Sequence, residues 1–149
     1  MKILALDSTA TVASAALCED ERLLGEYTIQ NGNKHSETLL PMVESIMTRL
    51  GRRMEEIDLF AVSAGPGSFT GIRIGVSAAK GFAWGAEKPV YGVSTLEAMA
   101  GWLGIQNRHV CCCMDARRNQ VYNAIFLAEN GRLERVCEDR AIALEDLKK

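Results

Sequence analysis

The sequence predicts a mixed α/β chain, a sheet with helices on its faces. Three observations predict it. Three apolar segments follow one another at the N-terminus with only short links, the pattern of an antiparallel meander. An apolar run, a glycine turn and a small-residue helix then succeed one another over residues 59–84. Helix and strand patterns go on alternating to about residue 103, so the order is β-β-β-α-β-α-β-α.

Lys2 to Thr9 (KILALDST) predicts the first strand, Thr11 to Cys18 the second and Arg22 to Gln30 the third. The links between them are Ala10 and Glu19-Asp20-Glu21. Asp7, Ser8 and Thr9 stand at the first turn. An acid with two hydroxyls at a strand end can hold a metal-bound water or a phosphate. The same residues can simply satisfy turn backbone groups, and the sequence leaves both readings open.

QNGNK, residues 30–34, is a polar loop before an amphipathic helix from about Ser36 to Leu50. Leu39, Leu40, Val43, Ile46, Met47 and Leu50 form one stripe at helical spacing, a pattern that most often means core. Pro41 belongs in or near the first turn, because deeper in the helix it removes a hydrogen bond. His35 has no second histidine at helical spacing, which argues against a metal pair and predicts a part in capping the helix. Gly51 to Ile57 is a linker.

Leu59 to Ala64 has the length of a buried strand. Gly65-Pro66-Gly67 suits a type II turn, with Pro66 fixing φ and Gly67 free to take positive φ. Ser68 or Thr70 can cap a helix from about Gly71 to Trp84. A glycine loop opening a helix suits an anion, and Asp7, Ser8, Thr9, Gly65, Pro66, Gly67 and Ser68 together are a phosphate-loop-like set. Yet no Lys-Ser or Lys-Thr follows the last glycine, and the spacing is Gly-x-Gly-x-x-x-Gly. On residue chemistry alone a plain tight turn is the better reading.

Gly71, Gly75 and Ala79 recur every four residues in that helix, with Ala78 and Gly85 nearby. A glycine inside a helix costs about 1 kcal/mol against alanine. Several on one side mean that another backbone comes close, in this chain or in another.

Val90 to Val93 predicts a strand, and Ser94 or Thr95 caps a helix that runs to about Leu103 and ends at Gly104. The pattern then restarts. His109 to Met114, Val121 to Ala128 and Arg132 to Ala141 predict strands, and Glu145 to Lys149 the start of a helix. The layout repeats that of the opening, with Asp115 at a strand end. The boundary falls between residues 104 and 105.

The 149 residues suffice for one domain or two small lobes, and 48% hydrophobic with 24% charged residues is ordinary globular composition. A net charge of −2 without a basic run argues against this chain alone gripping nucleic acid. Met1-Lys2 leads directly into a strand, with no signal peptide and no apolar run of membrane-spanning length. Cys18, Cys111, Cys112, Cys113 and Cys137 contain no Cys-x-x-Cys pair. Free thiols and a cytoplasmic protein are the expectation.

ILALDST, HSETLLP, SAGPGSFTGIRIGVSAAKGFA, GVSTLEAMA and DARRNQVY together resemble the TsaB (YeaZ) family of bacterial tRNA threonylcarbamoyladenosine biosynthesis proteins, along the whole chain. The resemblance implies an ASKHA fold, the two-lobed, ribonuclease H-like architecture of actin, sugar kinases and Hsp70, with the second lobe incomplete here. It implies a non-catalytic scaffold that activates a metal-bearing TsaD paralogue. With a TsaE-like ATPase, these proteins transfer a threonylcarbamoyl group to adenosine 37 of tRNAs reading codons that begin with A. The tRNA is reached through the complex, and no membrane is involved. No cofactor is implied for this chain alone, with ATP or ADP admitted in the complex.

The residues agree with a lost active site. There is no His-x-x-x-His pair, and Ala116 and Arg117 after Asp115 are bulky for a phosphate cradle. No protease constellation is visible. The resemblance also implies that the first two helices pack against those of the partner, giving a second role to Leu39, Val43 and Ile46 and to Gly71, Gly75, Ala78 and Ala79. Without the partner a homodimer is expected. Gly75→Leu is then expected to block pairing without unfolding the chain.

Gln120 stands where the family often has an acid, and family members usually continue well past Lys149. A half-built lobe would leave apolar sheet surface open. Two other readings compete: a small ASKHA-type ATP-binding phosphotransferase using Asp7 and the Gly65–Gly71 loop, and a self-associating module unconnected with tRNA.

Overall fold

A computed structural model describes residues 1–30, 32, 34–103 and 107–148, the side chain of residue 148 excepted. The element order is β1 (Lys2–Asp7), β2 (Ala13–Glu19), β3 (Arg22–Ile29), α1 (His35–Arg49), β4 (Leu59–Gly65), α2 (Phe69–Ala86), β5 (Val90–Ser94), α3 (Thr95–Trp102), β6 (Arg108–Arg117), β7 (Gln120–Glu129) and β8 (Arg132–Ala143). Single 3-10 stretches occupy Met54–Glu56 and Leu144–Lys148. The first lies in the predicted linker, and the second stands where an α-helix was expected to begin. The expected stop at Gly104 lies outside the described residues.

The chain packs as two units, residues 1–64 with 68–93 and residues 65–67 with 94–149. In the first, the sheet order is β3-β2-β1-β4-β5. β1 runs antiparallel to β2 and parallel to β4, with Leu4 opposite Leu17 and Phe60, and Leu6 opposite Ala15 and Val62. Those side chains share one face because strand side chains alternate. That face meets Leu39, Met42, Val43, Ile46 and Met47 of α1 and Ala79 and Ala83 of α2 in one apolar core. Both helices therefore lie on the same face, whereas the sequence pattern had placed helices on both. The opposite face carries the half-buried Ile3, Ala5, Ala16 and Cys18.

Pro41 lies inside α1 rather than in its first turn. The hydrogen bond it cannot donate would have gone to the carbonyl of Glu37, four residues back. Both residues are exposed, so water can take that carbonyl. β1 is tied to the entry of β4 by a reciprocal pair: the amide of Lys2 donates to Asp58 Oδ2 at 2.7 Å, and the amide of Asp58 donates to the Lys2 carbonyl at 2.9 Å.

In the second unit β6, β7 and β8 form an antiparallel meander. Val110, Cys112, Ala124, Phe126 and Ala128 cover one face and pack on Leu96 and Ala100 of α3. So α3, the last helix of the first lobe in the sequence reading, shares its core with β6 and β7. Ser94 caps α3 by accepting from the amide of Glu97 at 3.2 Å. Arg135 of β8 lies over the Phe126 ring and donates to Glu97 and Asp139, each at 2.7 Å. Burial pushes the Cys112 thiol above its ordinary value.

The Lys2 amide lowers the Asp58 carboxyl below its ordinary value, with help from the positive charges of Lys88 and the N-terminus. A carboxyl depressed on folding stabilises fully above the unfolded range, about pH 4, and that stabilisation disappears as pH falls through the lower folded value. Asp58→Asn should lower the thermal midpoint near neutral pH and flatten its decline in acid. Thermal melts of both proteins from neutral pH downward check this.

Candidate functional site

Asp7 ends β1, and its carboxylate is already engaged. Oδ1 accepts from the amide and hydroxyl of Thr9, both at 2.8 Å, and Oδ2 accepts from the Ser63 hydroxyl at 2.7 Å. Three of about four acceptor positions of a carboxylate are thus filled from within the chain. The bond from a carboxylate to the amide two residues on is the Asx-turn pattern. Of the two readings left open for Asp7, Ser8 and Thr9, this geometry is that of turn satisfaction. Ser8 and Thr9 are buried; Ser8 Oγ donates to the Gly71 carbonyl at 2.8 Å, and the Ser68 amide donates to the Thr9 carbonyl at 2.7 Å.

The turn itself is not type II. Gly65 has φ 117°, Gly67 has φ 157°, and the Gly65-Pro66 peptide is cis. A type II turn wants about +80° at its second central residue. Of the two candidate caps it is Ser68 that serves: Ser68 Oγ accepts from the Gly71 amide at 3.3 Å, and α2 starts at Phe69.

The small residues of α2 face β1. A Cβ on Gly71 would stand 1.9 Å from the Ser8 carbonyl oxygen, and one on Gly75 would stand 2.6 Å from Ser8 Oγ and 3.4 Å from Val62 Cγ2. Ala79 is fully buried and Ala78 packs against the same core. The close backbone approach that the glycines announce is made within the chain.

Leu39, Val43 and Ile46 are each at most 3% exposed. His35 is buried too, and its Nε2 pairs with the Ala10 carbonyl at 2.8 Å. It therefore ties the start of α1 to the β1–β2 link and does not cap the helix. Lys34 holds the cap position without a side-chain bond. Among the described residues no three His, Cys, Asp or Glu side chains gather as metal ligands.

A family profile described as TsaD, tRNA N6-adenosine threonylcarbamoyltransferase, matches residues 23–149. The chain is 35% identical over 98% of its length to the tRNA threonylcarbamoyladenosine biosynthesis protein TsaB of Bacillus subtilis, and 40% identical over 88% to that of Escherichia coli. It spans 64% and 58% of those proteins. YeaZ from Pseudomonas aeruginosa superposes with a TM-score of 0.83 at 28% identity, over 95% of this chain and 67% of that one. The chain is a TsaB (YeaZ) member of the TsaD family. Its mixed sheet and helices are those of an ASKHA-like fold.

The sequence expectation gave several residues of α1 and α2 a partner to face, whereas the structure packs them within the chain. Gly71, Gly75, Ala79, Leu39, Val43 and Ile46 are committed to the chain's own core. Gly75→Leu would disturb that core, so it cannot report on pairing alone. The outward side of α2 carries a second run of small residues, Ser77, Gly81 and Gly85, all exposed. It is offset by two residues from the inner run, about 200° around the helix. A Cβ on Gly81 or Gly85 would meet nothing within 4 Å. Trp84 beside them is 86% exposed and Leu40 on α1 is 50% exposed. An open groove of about 590 Å³ runs past Leu40, Pro41, Glu44, Met54 and Phe82. The spacing signal for this outer run was in the sequence; which run faces the sheet was not.

Two substitutions separate the two sides of α2. Gly71→Ala should destabilise the chain by about 2 kcal/mol or more, since overpacking against fixed backbone has no relief. Gly81→Ala should leave stability unchanged or raise it by up to about 1 kcal/mol. Urea unfolding of the two variants measures both.

Proposed function

We propose that this chain is the non-catalytic partner in threonylcarbamoyladenosine formation on tRNA. It pairs with a TsaD-like subunit that carries the metal and the chemistry, alongside a TsaE-like ATPase. The observation that carries this reading is the pairing of an engaged Asp7 with an open helical face. Asp7 is bonded to Thr9 and Ser63, leaving little with which to hold a phosphate or a metal-bound water. Exposed small and apolar groups on α1 and α2 offer a surface for another helix pair. Family membership supports the pathway, because the matched relatives bear its name.

In this reading the outer faces of α1 and α2, around Leu40, Pro41, Ser77, Gly81 and Trp84, meet the partner's helices. Without the partner, the same faces pair two copies of the chain. In this reading β1–β5 with α1 and α2 build the first ASKHA lobe, and α3 with β6, β7 and β8 opens the second. The tRNA is contacted mainly by other subunits, consistent with a net charge of −2. The complex works in the cytoplasm. Among the described residues no helix is long and apolar enough to cross a membrane.

Gly81→Leu tests the surface. It should weaken co-elution with a TsaD-like subunit at least tenfold, about 1.4 kcal/mol, while the circular dichroism of the isolated chain stays that of the folded parent. Reconstituted threonylcarbamoyl transfer should require the parent chain and fail with this variant. Undiminished pairing, or transfer that proceeds without the chain, contradicts the proposal.

A further inference from the structure

The second unit holds a pair of thiols that the role in tRNA modification does not use. Cys111 and Cys113 lie two apart on β6, so they share the sheet face opposite α3. Their Sγ atoms are 3.8 Å apart. Cys111 is exposed and Cys113 half-buried, while Cys112 between them points into the core. Asn123, directly across from Cys113 on β7, is fully buried. Its Nδ2 lies 3.2 Å from Cys111 Sγ, 3.6 Å from Cys113 Sγ and 3.1 Å from the Cys112 carbonyl. Arg140 of β8 donates through Nε and Nη2 to Asn123 Oδ1, at 3.1 and 3.0 Å. That double contact decides which way the amide points: the oxygen toward the guanidinium, the nitrogen toward the sulfurs.

Packing alone does not ask for this arrangement. An apolar residue would fill the Asn123 position with no polar groups to satisfy. What the amide supplies is a donor to both sulfurs, from a side chain held by a cation. The sulfur separation has a chemical meaning. Two thiolates on one tetrahedral metal, each bonded at about 2.3 Å, stand about 3.8 Å apart. The pair already has the spacing of that edge, so little rearrangement is needed to close on an ion.

We propose that Cys111 and Cys113 form a two-thiolate chelate for a soft divalent cation of the zinc group, with Asn123 as the positioning residue behind the sulfurs. As each metal–sulfur bond forms, the thiol gives its proton to solvent. No electron changes hands. Among the described residues no third Cys, His, Asp or Glu completes a cage. The remaining positions on the metal therefore belong to water or an incoming thiol. The site is one that loads and unloads, unlike the closed four-ligand sites that hold folds together. Arg140 acts through Asn123, holding its oxygen so that the amide nitrogen stays turned toward the sulfurs.

Cadmium chloride is the probe, added to the reduced 149-residue chain. The ultraviolet cadmium–thiolate charge-transfer band should rise and saturate near one equivalent. Cys111→Ser and Cys113→Ser should each weaken cadmium binding at least tenfold, and the double variant should abolish the band. Cys18→Ser and Cys137→Ser should leave it unchanged. The parent chain provides a check that no variant's folding can confuse: with cadmium present, mass spectrometry should find Cys111 and Cys113 protected from iodoacetamide and Cys137 not. No band in the parent chain, a band kept by the double variant, or alkylation of Cys111 at an undiminished rate overturns the proposal.

Discussion

Ser8 and the first turns of α2 occupy the same small volume, and much of the first unit follows from that. The Ser8 carbonyl leaves no room for a side chain at position 71, and its hydroxyl leaves almost none at 75. The hydroxyl also donates to the Gly71 carbonyl, so the contact is a bonded one. Once α2 is seated there, Ala79 and Ala83 continue along the sheet, and Ile74, Val76 and Phe82 pack at the sides of the same core. Phe82 then stacks on Phe60 of β4 at 6.1 Å. The glycines lower helix propensity, and the close seating against β1 offsets that cost.

The phosphate-loop-like residues are drawn into the same seating. The residues that look poised for chemistry close the gap between β1, β4 and α2. Thr9 takes one oxygen of Asp7 and Ser63 takes the other, while Ser68 caps α2 and anchors its own amide on Thr9. These residues form a structural joint between β1, β4 and α2. The outer side of the helices is left exposed.

Much of the fold was legible because it rests on short-range patterns. Three apolar segments with short links over residues 2–29 gave the meander, and of the two candidate caps at each helix start Ser68 and Ser94 serve. What was not legible depended on which distant residue stands opposite. Gly71 and Gly75 meet a residue 63 positions away in the chain for the bonded pair, and no local period encodes that. The inner run and the outer run Ser77, Gly81 and Gly85 have the same spacing, so periodicity alone cannot rank them. Pro41 was expected early in α1 because an interior proline usually costs a bond; its carbonyl partner proved to be exposed. His35 was read as local, yet its partner is the Ala10 carbonyl in another loop. Both helices lie on one sheet face because the opposite face carries only small or half-buried side chains over β1 and β2.

The inner small-residue run of α2 answers to Ser8. A double-mutant cycle between Ser8→Ala and Gly75→Ala, read by urea unfolding of the isolated chain, tests it most directly. Ser8→Ala removes the oxygen that a Cβ at 75 would meet at 2.6 Å, leaving the Ser8 Cβ position at 3.9 Å. Gly75→Ala should cost clearly less in the Ser8→Ala background, with a coupling of about 1 kcal/mol or more. Additive costs, or a harmless Gly75→Ala, would contradict it and return that side of α2 to the partner.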